Sequence, residues 1–282
     1  MKRFMLVLAL MMIIVSCDPT LPSPSDIGTT IPTSNTFVIN PSGGDDTQLF
    51  ISAVTQNSNV TISGYLRIDG IALLSNISDK IITFLPNSGL VRQSVSSLRS
   101  FQVVLLQNTK NIIINNLNIL GPRSSCNYSS SIEAQHGLEI SGGINITINS
   151  GNIKNMPGDG IYISKKASNI NIDNVSIQCT GRSSISNTDS SKVTVNNGSF
   201  SSAGLWIFNI EPVNANDQVQ SVTDYLIDHP VIGYSVSSWL FTGGPYYSCL
   251  VTNLIINKPI FSIVPVSPSI APCVASQVVI NY

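Results

Sequence analysis

Four nine-residue segments of this chain follow one pattern: Asn111 to Ile119, Asn145 to Ile153, Asn169 to Ile177 and Lys192 to Phe200. They start 34, 24 and 23 residues apart. The unit is therefore one of about 23 residues, with an eleven-residue excursion in the first gap, which is the period of a solenoid. Inside each unit two short runs alternate apolar and polar residues around a polar pair, the mark of two strands joined by a tight bend. Aligned, the units give apolar columns: Ile112, Ile146, Ile170, Val193; then Ile114, Ile148, Ile172, Val195; then Ile119, Ile153, Ile177, Phe200. One coil cannot bury such a face alone, but copies stacked about 4.8 Å apart bury it continuously. The bend pairs are Asn115-Asn116, Asn149-Ser150, Asp173-Asn174 and Asn196-Asn197. Asn and Asp tolerate left-handed backbone, which a bend recurring in every coil demands. These observations predict a parallel β-helix.

The segment Gly43-Gly44-Asp45-Asp46-Thr47 precedes Leu49 to Val54, and Asp45 or Asp46 can cap a short helix there through its carboxylate. Here, and at Gly158 to Ile163 and Gly181 to Ser186 where successive coils begin, the chain resembles the pectate-lyase-like superfamily, bacterial and phage members included. The resemblance implies an all-β, single-stranded, right-handed parallel β-helix with a short N-terminal capping helix over the first coil. Gly204 to Pro212 is also similar to a Gly-Ile-Asp-Ile-Glu-Pro-Asn block of some members. It keeps Ile210-Glu211-Pro212 but carries Asn209 and Val213 in place of the block's aspartate and asparagine. That departure puts a shared activity in doubt. Gly158-Asp159-Gly160 has no phosphate-binding context and reads as a turn needing permissive backbone.

The N-terminus has its own logic. Met1-Lys2-Arg3 is basic and Phe4 to Val15 apolar, a run too short to span a bilayer, so residues 1–16 read as a signal peptide. Ile14 to Cys17 resembles the bacterial lipobox, whose cysteine is acylated. Residues 17–36, rich in Pro, Ser and Thr, then form a lipid-anchored tether, and 37–282 one β-helix domain. The expected location is outside the cytoplasm, as a bacterial membrane lipoprotein. Beyond Cys17 four cysteines remain, Cys126, Cys179, Cys249 and Cys273, compatible with two disulfides in three connectivities or with buried thiols. A Cys126–Cys179 pair would pin the excursion to the barrel.

Only 10% of residues are charged and the net charge is -1, so no electrostatic case exists for nucleic acid. Ser, Thr and Asn supply the polar surface, which suits hydroxyl-rich ligands. No residue spacing implies a metal, and none implies a cofactor.

Residues one coil apart are vertical neighbours, so His136, Asp159 and Arg182, spaced by 23, should form a ladder within about one residue of register. Glu139 and Tyr162 point outward beside it, and Lys165, Lys166, Asp189 and Glu211 extend the face. Acid, base and cation together suit uronide elimination or glycoside hydrolysis. Arg182, Glu211 and Asp159 are the catalytic candidates; Glu139, Tyr162, Lys165, Asp189 and Trp206 are the substrate-binding ones. Trp206, Trp239, Tyr246 and Tyr247 can stack on sugar faces or plug the coil end. Two readings stand side by side. One is an exported, membrane-tethered β-helix that binds or processes polysaccharide, as a lyase or glycoside hydrolase if it is an enzyme. The other is a non-catalytic envelope, adhesion or phage-derived surface scaffold.

Overall fold

The alternating segments stack as parallel strands, residue against residue in the predicted columns. In the computed structural model, which describes residues 36–212, 214–215, 218–242, 251–263, 267–270 and 277–282, Ile112 pairs with Ile146, Ile146 with Ile170, and Ile170 with Val193. The column continues through Tyr225, Leu254 and Val278. The other two columns pair likewise, ending in Ile280 and in Phe261. Most side chains in these columns are fully buried. Each such Ile or Val contributes about 1.5–3 kcal/mol by burial, and its neighbours one rung away supply the contacts.

Among the described residues, a 15-stranded sheet holds these columns and an eight-stranded sheet faces it, the two joined coil by coil. The coil is right-handed, the hand that twisted parallel strands impose on their crossovers. It belongs to the compact unit Ser34–Tyr282, and its first strand is Phe37–Ile39.

A ten-residue helix, Thr47–Gln56, covers the first coil with Phe50, Ala53 and Val54 turned inward. It shields the sheet end from further pairing. Asp46 holds the N-cap position without a side-chain cap bond; the Asp45 carboxylate, one residue earlier, accepts from the first helical N–H, that of Thr47, at 3.0 Å. The Asp46 carboxylate instead accepts from the Ser42 and Arg67 N–H groups, fastening the loop to the coil. Lys80 occupies the rung below Ile112, where its ammonium donates to the Thr55 and Asn57 carbonyls at the helix end. The apolar column therefore stops where the cap begins.

At the bends, the second residue of each pair is left-handed: Asn116, Ser150, Asn174 and Asn197 have φ between 53° and 61°. A second left-handed corner runs through Asn111, Asn145, Asn169 and Lys192, at φ of 54–56°. Its amides form a ladder, Asn145 donating to Asn111 at 2.9 Å and Asn169 to Asn145 at 2.6 Å. Gly158 behaves differently from the sequence expectation. Its backbone is not left-handed; a β-carbon there would lie 2.2 Å from the Glu133 carbonyl oxygen, so lack of space excludes a side chain.

The excursion between the strands Lys110–Leu120 and Ala134–Ser141 is held by a Cys126–Cys179 disulfide, with Cα atoms 4.6 Å apart. Cys249, Cys273 and Cys17 lie outside the described residues, as do Tyr246 and Tyr247.

Candidate functional site

On the eight-stranded sheet, pairing sets an outward column that runs Leu105, Glu139, Tyr162, Ser186, Asn209, Phe241. Two residues further along each strand, Ser141 pairs with Ser164, and Thr188 and Glu211 follow in the same register. The pleat points both columns away from the core. Above them lies a cleft of about 580 Å³, lined among others by Gln102, Tyr128, Glu133, Glu139, Tyr162, Ser164, Lys165, Arg182, Trp206 and Glu211. The excursion contributes Tyr128 and Glu133, so the loop that interrupts the repeat builds one wall.

The predicted ladder exists, with one register shift. His136 stands one rung below Asp159, whereas Asp159 pairs level with Ser183, leaving Arg182 one residue out. Asp159 is wholly buried and accepts from the Ser183 N–H at 3.0 Å. Arg182 reaches over it, one arm 3.3 Å from Asp159 Oδ2 and the other 2.5 Å from Glu211 Oε2. Asn209 donates to the same Glu211 oxygen at 2.7 Å. Burial pushes the Asp159 carboxyl up to about 6 against the opposing pull of Arg182.

His136 is the third member, 3% exposed, its ring stacked on Tyr162 with centroids 4.7 Å apart. Its Nδ1 accepts from the Asp159 backbone N–H at 3.2 Å, so that nitrogen carries no proton. The 3.4 Å approach of Nδ1 to Asp159 Oδ2 is thus no ion pair. Burial first, and Arg182 second, drive this imidazole down to about 3. It stays neutral and braces the Tyr162 ring.

Across the cleft, Tyr128 donates to Glu133 at 2.5 Å, and Arg99 pairs with the same carboxylate at 3.1 Å. That bond, with burial adding, pushes the Tyr128 phenol up to about 12. Burial raises the Glu139 carboxyl above its ordinary range, with Lys165 opposing. Lys165 and Lys166 are consecutive left-handed residues, φ 54° and 60°, a strained turn at the cleft rim.

Of the residues singled out from the sequence, Arg182, Glu211, Glu139, Tyr162, Lys165 and Trp206 meet in this cleft. Asp159 does not line it; it stands behind Arg182 and holds that side chain. Asp189 is a correction: it lies in a separate depression, bonded to the Lys166 and Ser221 N–H groups. Trp206 is half-buried, stacked 4.6 Å from Phe241, and lines the cleft. Trp239 is core, packed edge-on against Phe261. The reading missed Gln102, Glu133 and Tyr128. Gln102 pairs with His136 across the 34-residue gap and was within reach of the same spacing argument; Tyr128 and Glu133 sit in the excursion, which has no period to read. Among the described residues no group of three or more His, Cys, Asp or Glu is placed to hold a metal ion.

No protein-family model and no curated protein matches the chain. Solved structures it is similar to include the Dettilon tailspike protein, at 11% identity and TM-score 0.42 over 86% of this chain and 68% of that one. PfbA, a surface adhesin of Streptococcus pneumoniae, gives 13% and 0.42 over 78% and 68%. An alginate lyase from a Paenibacillus species gives 12% and 0.40 over 88% and 99%. Likenesses of this size carry no argument about the cleft. The fold, a parallel β-helix, stands on the strand pairing itself.

Proposed function

We propose that the cleft binds a glycan and holds it without cleaving it. The observation that carries this reading is the lining: Tyr128, Tyr162 and Trp206 share a space of about 580 Å³ with residues that carry amide and hydroxyl groups. Rings stack on the apolar faces of sugars while Gln102, Ser100 and Thr188 meet the hydroxyls. Ser164 strengthens the case. It is 5% exposed, lines the cleft, and its hydroxyl has no partner among the described residues. A ligand hydroxyl would relieve that cost.

Against cleavage stands the commitment of the carboxylates. Asp159 and Glu211 are bound to Arg182, and Glu133 to Tyr128 and Arg99. Glu139 and Glu211 stand three rungs and two residues apart, roughly 16 Å between backbones at ordinary strand spacings. Asp159 and Glu211 come within the roughly 5–9.5 Å of paired glycosidase carboxyls, but only across the one Arg182 guanidinium that both already bind. One feature favours processing nonetheless: the raised Glu139 carboxyl has the character of a general acid.

The test is calorimetric titration of the protein with a panel of tetrasaccharides, followed by chromatography of the sugars. Binding of at least one member, weakened about tenfold or more in Trp206→Ala, with the sugar recovered intact, is expected. Shortened products lost in Glu139→Gln would replace the holding reading with hydrolysis or elimination. As a further part of the proposal, the cleft is displayed outside the cytoplasm on the 17–36 tether, anchored through acylated Cys17.

A further inference from the structure

We infer that the cleft selects uncharged sugar units and disfavours uronates. This rests on the glycan-binding reading above and narrows it to a ligand class. Both arginines at the cleft already face carboxylates. Arg182 extends one arm to Asp159 and the other to Glu211, so its single charge is shared between two negative groups. Arg99 is taken by Glu133, while Lys165 stands at the rim, where its charge favours the ionised form of Glu139. Counted together, four carboxylates, Glu133, Glu139, Glu211 and buried Asp159, meet three cations, Arg99, Lys165 and Arg182, which leaves the described groups at the cleft with an excess of negative charge.

A uronate carboxylate entering this space would have to displace a native partner or lie against an excess of like charge, and both oppose binding. A hydroxyl meets no such conflict. Ser164 carries a buried hydroxyl with no partner among the described residues, and turned toward the cleft it donates to or accepts from a neutral group equally well. Ser100, Gln102 and Thr188 extend the same chemistry along the wall. The charge layout therefore leaves Arg182 no free arm with which to neutralise a substrate carboxylate.

The experiment compares cellotetraose, maltotetraose and xylotetraose with tetragalacturonate, titrated into the protein at low and at high salt. At low salt, at least one neutral tetrasaccharide is expected to bind on the order of tenfold more tightly than tetragalacturonate. That ratio should shrink at high salt, where repulsion between exposed charges is screened while the neutral sugar's affinity holds. Glu139→Gln should shrink it at low salt. Tetragalacturonate binding more tightly than every neutral sugar, and weakening as salt rises, would overturn the inference and leave the glycan cleft standing. Failure of all four sugars to bind would remove the cleft reading itself, and this inference with it.

Discussion

His136 and Asp159 touch, and burial moves their proton affinities in ways that oppose each other's effect on stability. The imidazole falls from 6.5 to about 3, so the folded chain resists a proton that the unfolded chain accepts. Its contribution is full above pH 6.5 and is lost as pH falls toward 3. The Asp159 carboxyl rises from 3.8 to about 6, so its contribution is full below 3.8 and is lost as pH rises through 6. The His136 shift is the larger. We predict that His136→Gln, whatever it costs at neutral pH, loses less stability than the wild type between pH 7 and 4, by on the order of 3 kcal/mol. Urea midpoints of both proteins at the two pH values measure this; parallel losses would show that His136 is not the group resisting the proton. The sequence named both residues and their adjacency. It could not show that His136 would be neutral, since that follows from a hydrogen bond by a backbone N–H one rung away.

At the scale of the element, the corners decide where each strand turns. Asn174 takes φ 54° and donates to Ser150 one rung away. Asn174→Gly and Asn174→Ala both lose that bond, but only alanine also meets the left-handed penalty. We expect alanine to be less stable than glycine by about 1 kcal/mol in denaturant unfolding; equal stabilities would mean that the corner relaxes to ordinary backbone. The strands themselves were readable because alternation and stacking share one period. The corner at Asn111, Asn145 and Asn169 was visible as a column of asparagines but not as a bend, because Lys192, no usual left-handed residue, holds the same place. The capping helix was readable from its turn of acidic residues. Which of Asp45 and Asp46 reaches the first helical N–H depended on the Arg67 N–H, twenty-one residues from Asp46, that claims the Asp46 carboxylate.

For the whole molecule, the proposal joins a leader, a tether and a coil. If Cys17 is the anchor, cells supplied with labelled palmitate should incorporate it into the protein, and Cys17→Ser should lose the label and leave the membrane fraction. Label persisting in the serine variant would place the anchor elsewhere or remove it. The anchor and the cleft are independent claims, since binding can be measured on protein lacking any lipid.

What the sequence determined by itself is the coil: its hand through resemblance, and its register and buried columns through spacing. In a solenoid each rung contacts only the next, so a repeat in the chain is a repeat in space and one offset locates every neighbour. The tertiary structure decided the cleft. Its wall comes from an aperiodic excursion bound at Cys126 to Cys179. The state of Arg182, shared between Asp159 and Glu211, depends on a long side chain that leaves its own rung. Periodicity places backbones, and chemistry at this site turns on side chains whose reach exceeds the rung spacing.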